Sequence, residues 1–474
     1  MTPPASSGLQ SNLKRRHLAM IAIAGVIGAG LFVGSGAVIR QAGPAAILSY
    51  ACAGAIVVLV MRMLGEMAAA NPDNGSFSTY ADRAIGRWAG FSIGWLYAWF
   101  WIIVLGIEAT AGAVILNRWV PEVPQWTWAL GLMIVLTLTN AVSVRFFGEF
   151  EFWFAGIKVV AIVAFIVVGV LAIAGLLPGV ASPGIGNLVG HGGFFPNGPA
   201  AMSTAILVVV FSVVGAEIAT IAAAESRDPA TAVRGAVRSV TWRILVFYIG
   251  TITVVVTLLP WNDASVAQSP FVAVMETLHL PAAAVVMDIV VLTSVLSCLN
   301  SGMYTASRML YSLSSRRDAP AGLSRTTPSG TPRTAVIAAS LVGFLTVGLN
   351  ALWPDTVFLF LVNSSGAIAL FVWLVIAISQ LRMRRALEGS GAPLPVRMWC
   401  FPVLTWLTIA IIVALLIGMA LLDDTRSQLM LSGALALVCV AIGVCRYRGA
   451  RAPLPMADRS PDGDALVPDA AEGS

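Results

Sequence analysis

Three ionisable side chains stand deep inside apolar runs of this chain: Glu108, Lys158 and Glu217. A charge at that depth is costly unless it is paired, hydrated or neutralised. A structural ion pair or hydrogen-bonded network would meet that demand with no further role. The alternative is proton and ligand chemistry. A lysine ammonium gives up its proton when its surroundings are dry, which makes Lys158 a candidate for a group that alternates between protonation states. Glu108 has the charge to meet a ligand ammonium. Glu217 follows Gly215-Ala216 directly, where a carboxylate can hold freed backbone donors or sense a proton.

Glycines supply the second kind of chemistry. From Ile21 the chain reads IAIAGVIGAGLFVGSG, with Gly25, Gly28, Gly30, Gly34 and Gly36 inside one apolar run. Each interior glycine costs a helix about 1 kcal/mol relative to alanine. Irregular backbone at membrane depth survives where it lines a cavity or is buried in protein. A helix broken at Gly28-Ala29-Gly30 would therefore offer main-chain groups to a ligand. Close helix packing through small residues explains the same run equally well, and the run alone does not separate the two.

Such residues need spans to hold them. The chain has 474 residues, 58% hydrophobic and 11% charged, with a mean hydropathy of +0.87. Soluble domains carry about 25% charged residues, so this is an integral membrane protein. Runs of about 20 apolar residues predict an all-α polytopic protein with twelve transmembrane helices. They lie near 18–40, 45–68, 89–117, 125–144, 151–177, 200–224, 239–260, 282–313, 334–353, 356–381, 401–422 and 427–446, and are numbered spans 1 to 12. Residues 1–17 form an N-terminal segment, and the first run is too long and glycine-rich for a cleaved signal. The tail 449–474, rich in Pro, Ala and Asp, is expected to be disordered.

Basic residues orient the spans. If the N-terminus is cytoplasmic, 24 of the 28 Lys and Arg fall on the cytoplasmic side. Arg40, Arg118 and Arg426 fall on the other, and Lys158 stays within span 5. This bias places both termini in the cytoplasm and supports an even span count. It also accounts for the net charge of +5 without a nucleic-acid partner. Trp88, Trp119, Trp126, Trp242, Trp261, Trp353 and Trp399 fall near span ends, as headgroup anchors do. Trp95, Trp99 and Trp101, with Tyr97, read as packing within span 3.

The five cysteines are scattered through apolar runs and odd in number, which argues against a disulfide framework. The three histidines are far apart, so no metal site is expected and no cofactor is called for. Asp288 reads as structural, and Glu66 with Arg62 as a local i,i+4 pair. Residues 71–80 look turn-like, and 261–281 carry an amphipathic stretch that could lie over an external vestibule.

The two glycine breaks gain meaning together. Gly28 lies in span 1 and Gly215 in span 6, so five spans separate them and their helices run in opposite directions. Interrupted helices in corresponding positions of two halves point to an inverted-repeat transporter. Spans 1–5 (18–177) and 6–10 (200–381) would form the repeat, with spans 11 and 12 (401–446) outside it. A channel needs no such pairing. An intramembrane enzyme needs a nucleophile with a base, or metal ligands, and no such cluster stands out. Ser297 and Asn300 in span 8 either bond across helices or line the pathway, and both readings remain open.

Several stretches are recognisable: IAGVIGAGLFVGS from Ile23, MRMLGEMA from Met61, GSFSTYADRAIGRWAGFSIGWLY from Gly75, GEFEFWFAGIK from Gly148, GAEIATIAAAES from Gly215, SCLNSGMYTASRMLYSLS from Ser297 and SSGAIALFVWLVIAISQLRMR from Ser364. They resemble the amino acid permeases of the amino acid–polyamine–organocation superfamily, most nearly the bacterial 4-aminobutyrate (GABA) permeases. The resemblance implies the five-plus-five inverted-repeat fold with two extra helices. It implies a substrate carboxylate at Ile27, Gly28, Ala29 and Gly30, and a substrate ammonium facing carbonyls of span 1 and of the Gly215-Ala216 break. Phe211 would be an aromatic gate, Glu217 a proton-linked carboxylate, and Lys158 the span-5 lysine of proton-coupled relatives. The expected activity is proton symport of a small zwitterionic amino acid across a bacterial inner membrane, 4-aminobutyrate first. A permease or exchanger for another neutral or cationic amino acid is the rival. The partners are then the amino acid, the proton and the bilayer; the sequence leaves the oligomeric state open.

Overall fold

The computed structural model describes residues 27–70, 76–142, 147–217, 229–327, 330–354, 356–390 and 394–448. The predicted segments 1–17 and 449–474, the start of span 1 and the end of span 6 lie outside them.

Among the described residues every regular element is a helix. Nine stretches of the described residues are long and apolar enough to cross a membrane, and the first of these, Ala29–Ala70, holds both the second part of span 1 and all of span 2. Span 4 is Gln125–Val142, and span 6 is the shorter helix Gly198–Val213. Each of the twelve predicted runs therefore has its helix.

In the described part of span 1 the helix starts only after Gly28, where the glycines cluster. Gly28 is not helical (φ −143°, ψ −142°), the helix starts at Ala29–Phe32, bends at Val33 and continues as Gly34–Ala42. The packing reading of the same glycines also holds. A Cβ on Gly30 would lie 2.6 Å from Ser212 Cα, and one on Gly34 3.1 Å from Val208. Bare backbone is what lets spans 1 and 6 touch here. Span 6 stops at Val213, turns at Val214-Gly215 with Gly215 at φ +100°, and is helical again at Ala216-Glu217. That positive φ is open to glycine at little cost.

Long spans carry the centre. Span 3 (Arg87–Trp119) and span 8 (Pro281–Ser315) cross beside each other, and span 3 is buried along most of its length. Span 7 widens to π-helical geometry over Ile244–Gly250, a distortion common at functional sites. Outer faces are apolar: on span 5, Val160, Val163, Val167 and Val170 are all exposed, at the spacing of one helix stripe. Such a stripe suits hydrocarbon. Trp119, Trp126, Trp242, Trp353 and Trp399 are exposed at span ends, the expected place for aromatic anchors.

Two local expectations change, and a third, for Asp288, stands. Residues 76–80 are not a turn but the start of helix Ser76–Ala84. Phe77, Tyr80 and Ala81 recur at helical spacing and are buried, with Phe77 edge-on to Tyr97 at 4.6 Å, and this apolar face outweighs the turn-like composition. Glu66 is held across helices: Arg384 Nη1 donates to it at 2.5 Å, Gln380 Nε2 at 2.7 Å and the Met398 N–H at 2.5 Å. Arg62 donates to the Arg397 carbonyl at 2.8 Å, so the local pair gives way to a network joining spans 2 and 10. Asp288 is structural, accepting from Trp119 Nε1 at 2.5 Å and pairing with Arg118 at 3.3 Å.

The amphipathic stretch between spans 7 and 8 forms Ala264–Gln268 and Pro270–Thr277. Phe271 packs on Phe32 of span 1 at 4.9 Å and on Phe165 of span 5 at 4.8 Å. These helices thus cover the second part of span 1. At the opposite end Asp318 gathers Arg87 at 3.5 Å, Arg316 at 3.8 Å and the Tyr447 hydroxyl, tying the ends of spans 3, 8 and 12.

Candidate functional site: a cavity at the span-1 break

The break in span 1 opens onto span 3. The Ala29 N–H donates to Glu108 Oε2 at 3.0 Å and to Oε1 at 3.2 Å. It is among the N–H groups that no preceding turn can satisfy, and a carboxylate there also meets the positive end of the helix. Gly28 makes the approach feasible, since a Cβ on it would lie 2.6 Å from both Glu108 Oε1 and Cys298 Cβ.

A small cavity lies beside this contact. It is lined by Gly30, Phe100, Trp101, Val104, Glu108, Phe211, Ser212, Val214 and Cys298. Span 3 presents one face to it, because Phe100, Val104 and Glu108 recur every four residues. Phe211 of span 6 stands 6.3 Å from Phe100, centroid to centroid. Trp101 Nε1 and Ser212 Oγ are buried polar groups at this cavity, the first near the Tyr97 hydroxyl and the second near the Tyr50 and Tyr248 hydroxyls. The Tyr248 hydroxyl donates to the Ser212 carbonyl at 2.8 Å, which secures the end of span 6 from the widened part of span 7.

The other expected residues divide. Glu217, fully buried, accepts from the Gly215 N–H at 2.5 Å and from Trp373 Nε1 of span 10 at 2.7 Å. It therefore holds the broken backbone of span 6 in place, with Ala216 buried beside it. Lys158 is fully buried and acts electrostatically on Glu108, Cys298 and Glu151. Ser297 donates to both oxygens of Glu151, at 2.8 and 2.9 Å, and so serves a carboxylate of span 5. Asn300 accepts from Asn140 of span 4 at 2.8 Å; it bonds across helices and does not line the cavity. Ile27 is buried just before the break. Gly28, Ala29, Gly30, Glu108 and Phe211 are thus gathered at one place, with Lys158 in electrostatic range and Glu217 on the neighbouring break.

Sequence reasoning passed over Trp101, Ser212, Cys298 and Glu151. Trp101 read as packing, although it stands seven residues before Glu108 and so on the same face. Glu151 sits at the written edge of span 5, but the helix begins at Phe147. That places it a turn inside, seven residues and two turns before Lys158. Counting back by seven from each buried charge finds both.

Comparison with known proteins fits this geometry. Residues 17–451 match the family model "Amino acid permease". The chain is 54% identical to a gamma-aminobutyric acid permease of Bacillus subtilis over 97% of this chain and 99% of that protein. It is 51% identical to the gamma-aminobutyric acid permease of Escherichia coli, over 93% of this chain and 95% of that one. Among solved structures, a mutant manganese transporter of Eremococcus coleocola superposes with a TM-score of 0.54 at 14% identity, covering 91% of this chain and 92% of that one. At that identity the likeness shows the fold alone, and the fold is that of a transporter. With a family match along nearly the whole length and relatives this similar, the chain belongs to the amino acid permease family and is a multi-pass membrane protein.

Proposed function

We propose that this protein imports 4-aminobutyrate together with a proton by alternating access. The observation that carries the substrate side is the seat of Glu108: a carboxylate lies on the Ala29 N–H beside a cavity lined by Trp101 and Ser212. A substrate carboxylate placed there meets the N–H groups of Ala29 and Gly30 at the positive end of a half-helix, with Ile27 and Gly28 forming the approach. Its ammonium faces carbonyls at the end of span 6, near Val214 and Gly215. Phe211 closes over the ligand. The Bacillus subtilis and Escherichia coli relatives, both gamma-aminobutyric acid permeases, support 4-aminobutyrate as the substrate.

Lys158 carries the coupled proton in this reading, with Glu217 linking protonation to the span-6 break. A dry ammonium that neutralises nearby carboxylates can hold one conformation when charged and release it when neutral. Residues 18–177 and 200–381 act as the two halves that rock against each other, 401–446 add two further spans, and both termini face the cytoplasm of a bacterial cell. The test is competition. Purified protein in proteoliposomes should take up labelled 4-aminobutyrate, and unlabelled 4-aminobutyrate should compete better than lysine, histidine or aromatic amino acids. A panel led by any of those others would reassign the substrate.

A further inference from the structure

We propose that Glu108 and the substrate carboxylate trade places on the Ala29 N–H, and that this exchange makes the site select zwitterions over plain carboxylates. The inference rests on the reading that the span-1 break receives a substrate carboxylate. One backbone proton cannot serve two carboxylates. Glu108 engages it with both oxygens, at 3.0 and 3.2 Å, and the crowding about Gly28 leaves no second seat there. An incoming carboxylate therefore displaces Glu108.

The displaced side chain is buried, so its charge must be met nearby. The groups acting on it are the Cys298 thiol from span 8, the Lys158 ammonium from span 5 and the Tyr248 hydroxyl from span 7, besides Ala29 of span 1. Lys158 also acts on Glu151, so its charge is shared before any ligand arrives. Trp101 and Ser212, polar side chains lining the same cavity, offer the moving carboxylate and the ligand hydrogen-bond donors. They do not offer a second positive charge. A zwitterion brings one: its ammonium, at the span-6 carbonyls near Val214 in the cavity that Glu108 also lines, neutralises the displaced Glu108 as the substrate carboxylate takes the N–H. A plain carboxylate does not. It binds only when Glu108 takes a proton from hydronium, giving the carboxylic acid and water.

The probes are butyrate, which is 4-aminobutyrate without its ammonium, and 4-aminobutyrate itself. Binding of each to the purified full chain in nanodiscs is measured by calorimetry, one pH unit below and one above neutrality. Wild type should bind butyrate more weakly as pH rises, by up to about tenfold per unit, with proton uptake, and bind 4-aminobutyrate with little pH dependence. Glu108→Gln should tighten butyrate by about tenfold and weaken 4-aminobutyrate by a similar factor, and it should flatten the butyrate pH profile. Butyrate affinity unchanged or weakened in Glu108→Gln, with 4-aminobutyrate still bound by wild type, overturns the exchange alone. Failure of wild type to bind 4-aminobutyrate overturns the substrate reading instead. If Glu108→Gln does not fold, the wild-type pH profiles and the proton uptake decide: butyrate binding without proton uptake sinks the proposal.

Discussion

The Ala29 N–H on span 1 and the Glu108 carboxylate on span 3 are joined across 79 positions of sequence. That bond fixes what a glycine-rich run could not. Gly28 allows close approach, Ala29 supplies the donor, and Gly30 brings span 6 against the same spot. The break and the close packing are two consequences of the same missing side chains.

Gly30→Ala tests the close approach. Its new Cβ would fall 2.6 Å from Ser212 Cα and 2.9 Å from Ser212 Cβ, so span 1 or span 6 must shift. Overpacking of this kind costs about 1–3 kcal/mol. A loss of that size in transition-state stability slows transport by about fivefold to a hundredfold. Initial uptake rates should show the drop, whereas Gly131→Ala, with nothing within 4 Å, should leave them unchanged.

Trp373→Phe removes the indole donor to Glu217 Oε1. A buried carboxylate oxygen that loses its partner destabilises by about 1–3 kcal/mol. The thermal midpoint of the detergent-solubilised protein should fall. Adding Glu217→Gln should produce much less further loss than Glu217→Gln does alone, because the two residues share one interaction.

Lys158→Ala tests the coupling residue. Accumulation driven by a pH gradient should be lost, while counterflow of labelled for unlabelled substrate, which needs no net proton movement, should persist at reduced rate. Uphill uptake equal to wild type would remove Lys158 from the coupling role.

The helix Ala264–Gln268, on the covering between spans 7 and 8, should respond to acid. Asp263 accepts from the Ser265 N–H at 2.8 Å and from its hydroxyl at 2.6 Å, and these bonds hold its carboxyl below the ordinary carboxylate range. Its folded value is the lower one. The stabilisation is therefore complete above the unfolded carboxylate value, about 3.9, and is lost as pH falls through the folded value. Hydrogen exchange across 264–268, corrected for intrinsic rates, should lose protection on acidification in wild type. In Asp263→Ala the protection should be low throughout.

Much of this was legible in the residues, for physical reasons. Spans and their interruptions are written locally, as apolar runs and as Gly28 and Gly215, so they could be read one run at a time. Glu108, Lys158 and Glu217 announced themselves by the cost of burying a charge. Their partners did not. That Glu108 would bond Ala29, or Glu217 bond Trp373, depends on how spans 1, 3, 6 and 10 meet, and no single run carries that information. Trp101 and Cys298 were hidden because apolar side chains look alike whether they face lipid, core or cavity. The helix at Ser76–Ala84 was missed because Asn, Pro, Gly and Ser just before and at its start masked the spacing of Phe77, Tyr80 and Ala81.

The most direct measurement pairs substrate and proton fluxes in one preparation. Proteoliposomes holding the wild-type chain, loaded with a pH-sensitive dye and clamped at zero membrane potential, are given labelled 4-aminobutyrate with an inward proton gradient. We expect 4-aminobutyrate to accumulate above its outside concentration, with acidification of the lumen in step with uptake, and a protonophore to abolish both. Uptake that only equilibrates, or accumulation unaffected by the protonophore, would contradict proton-coupled import.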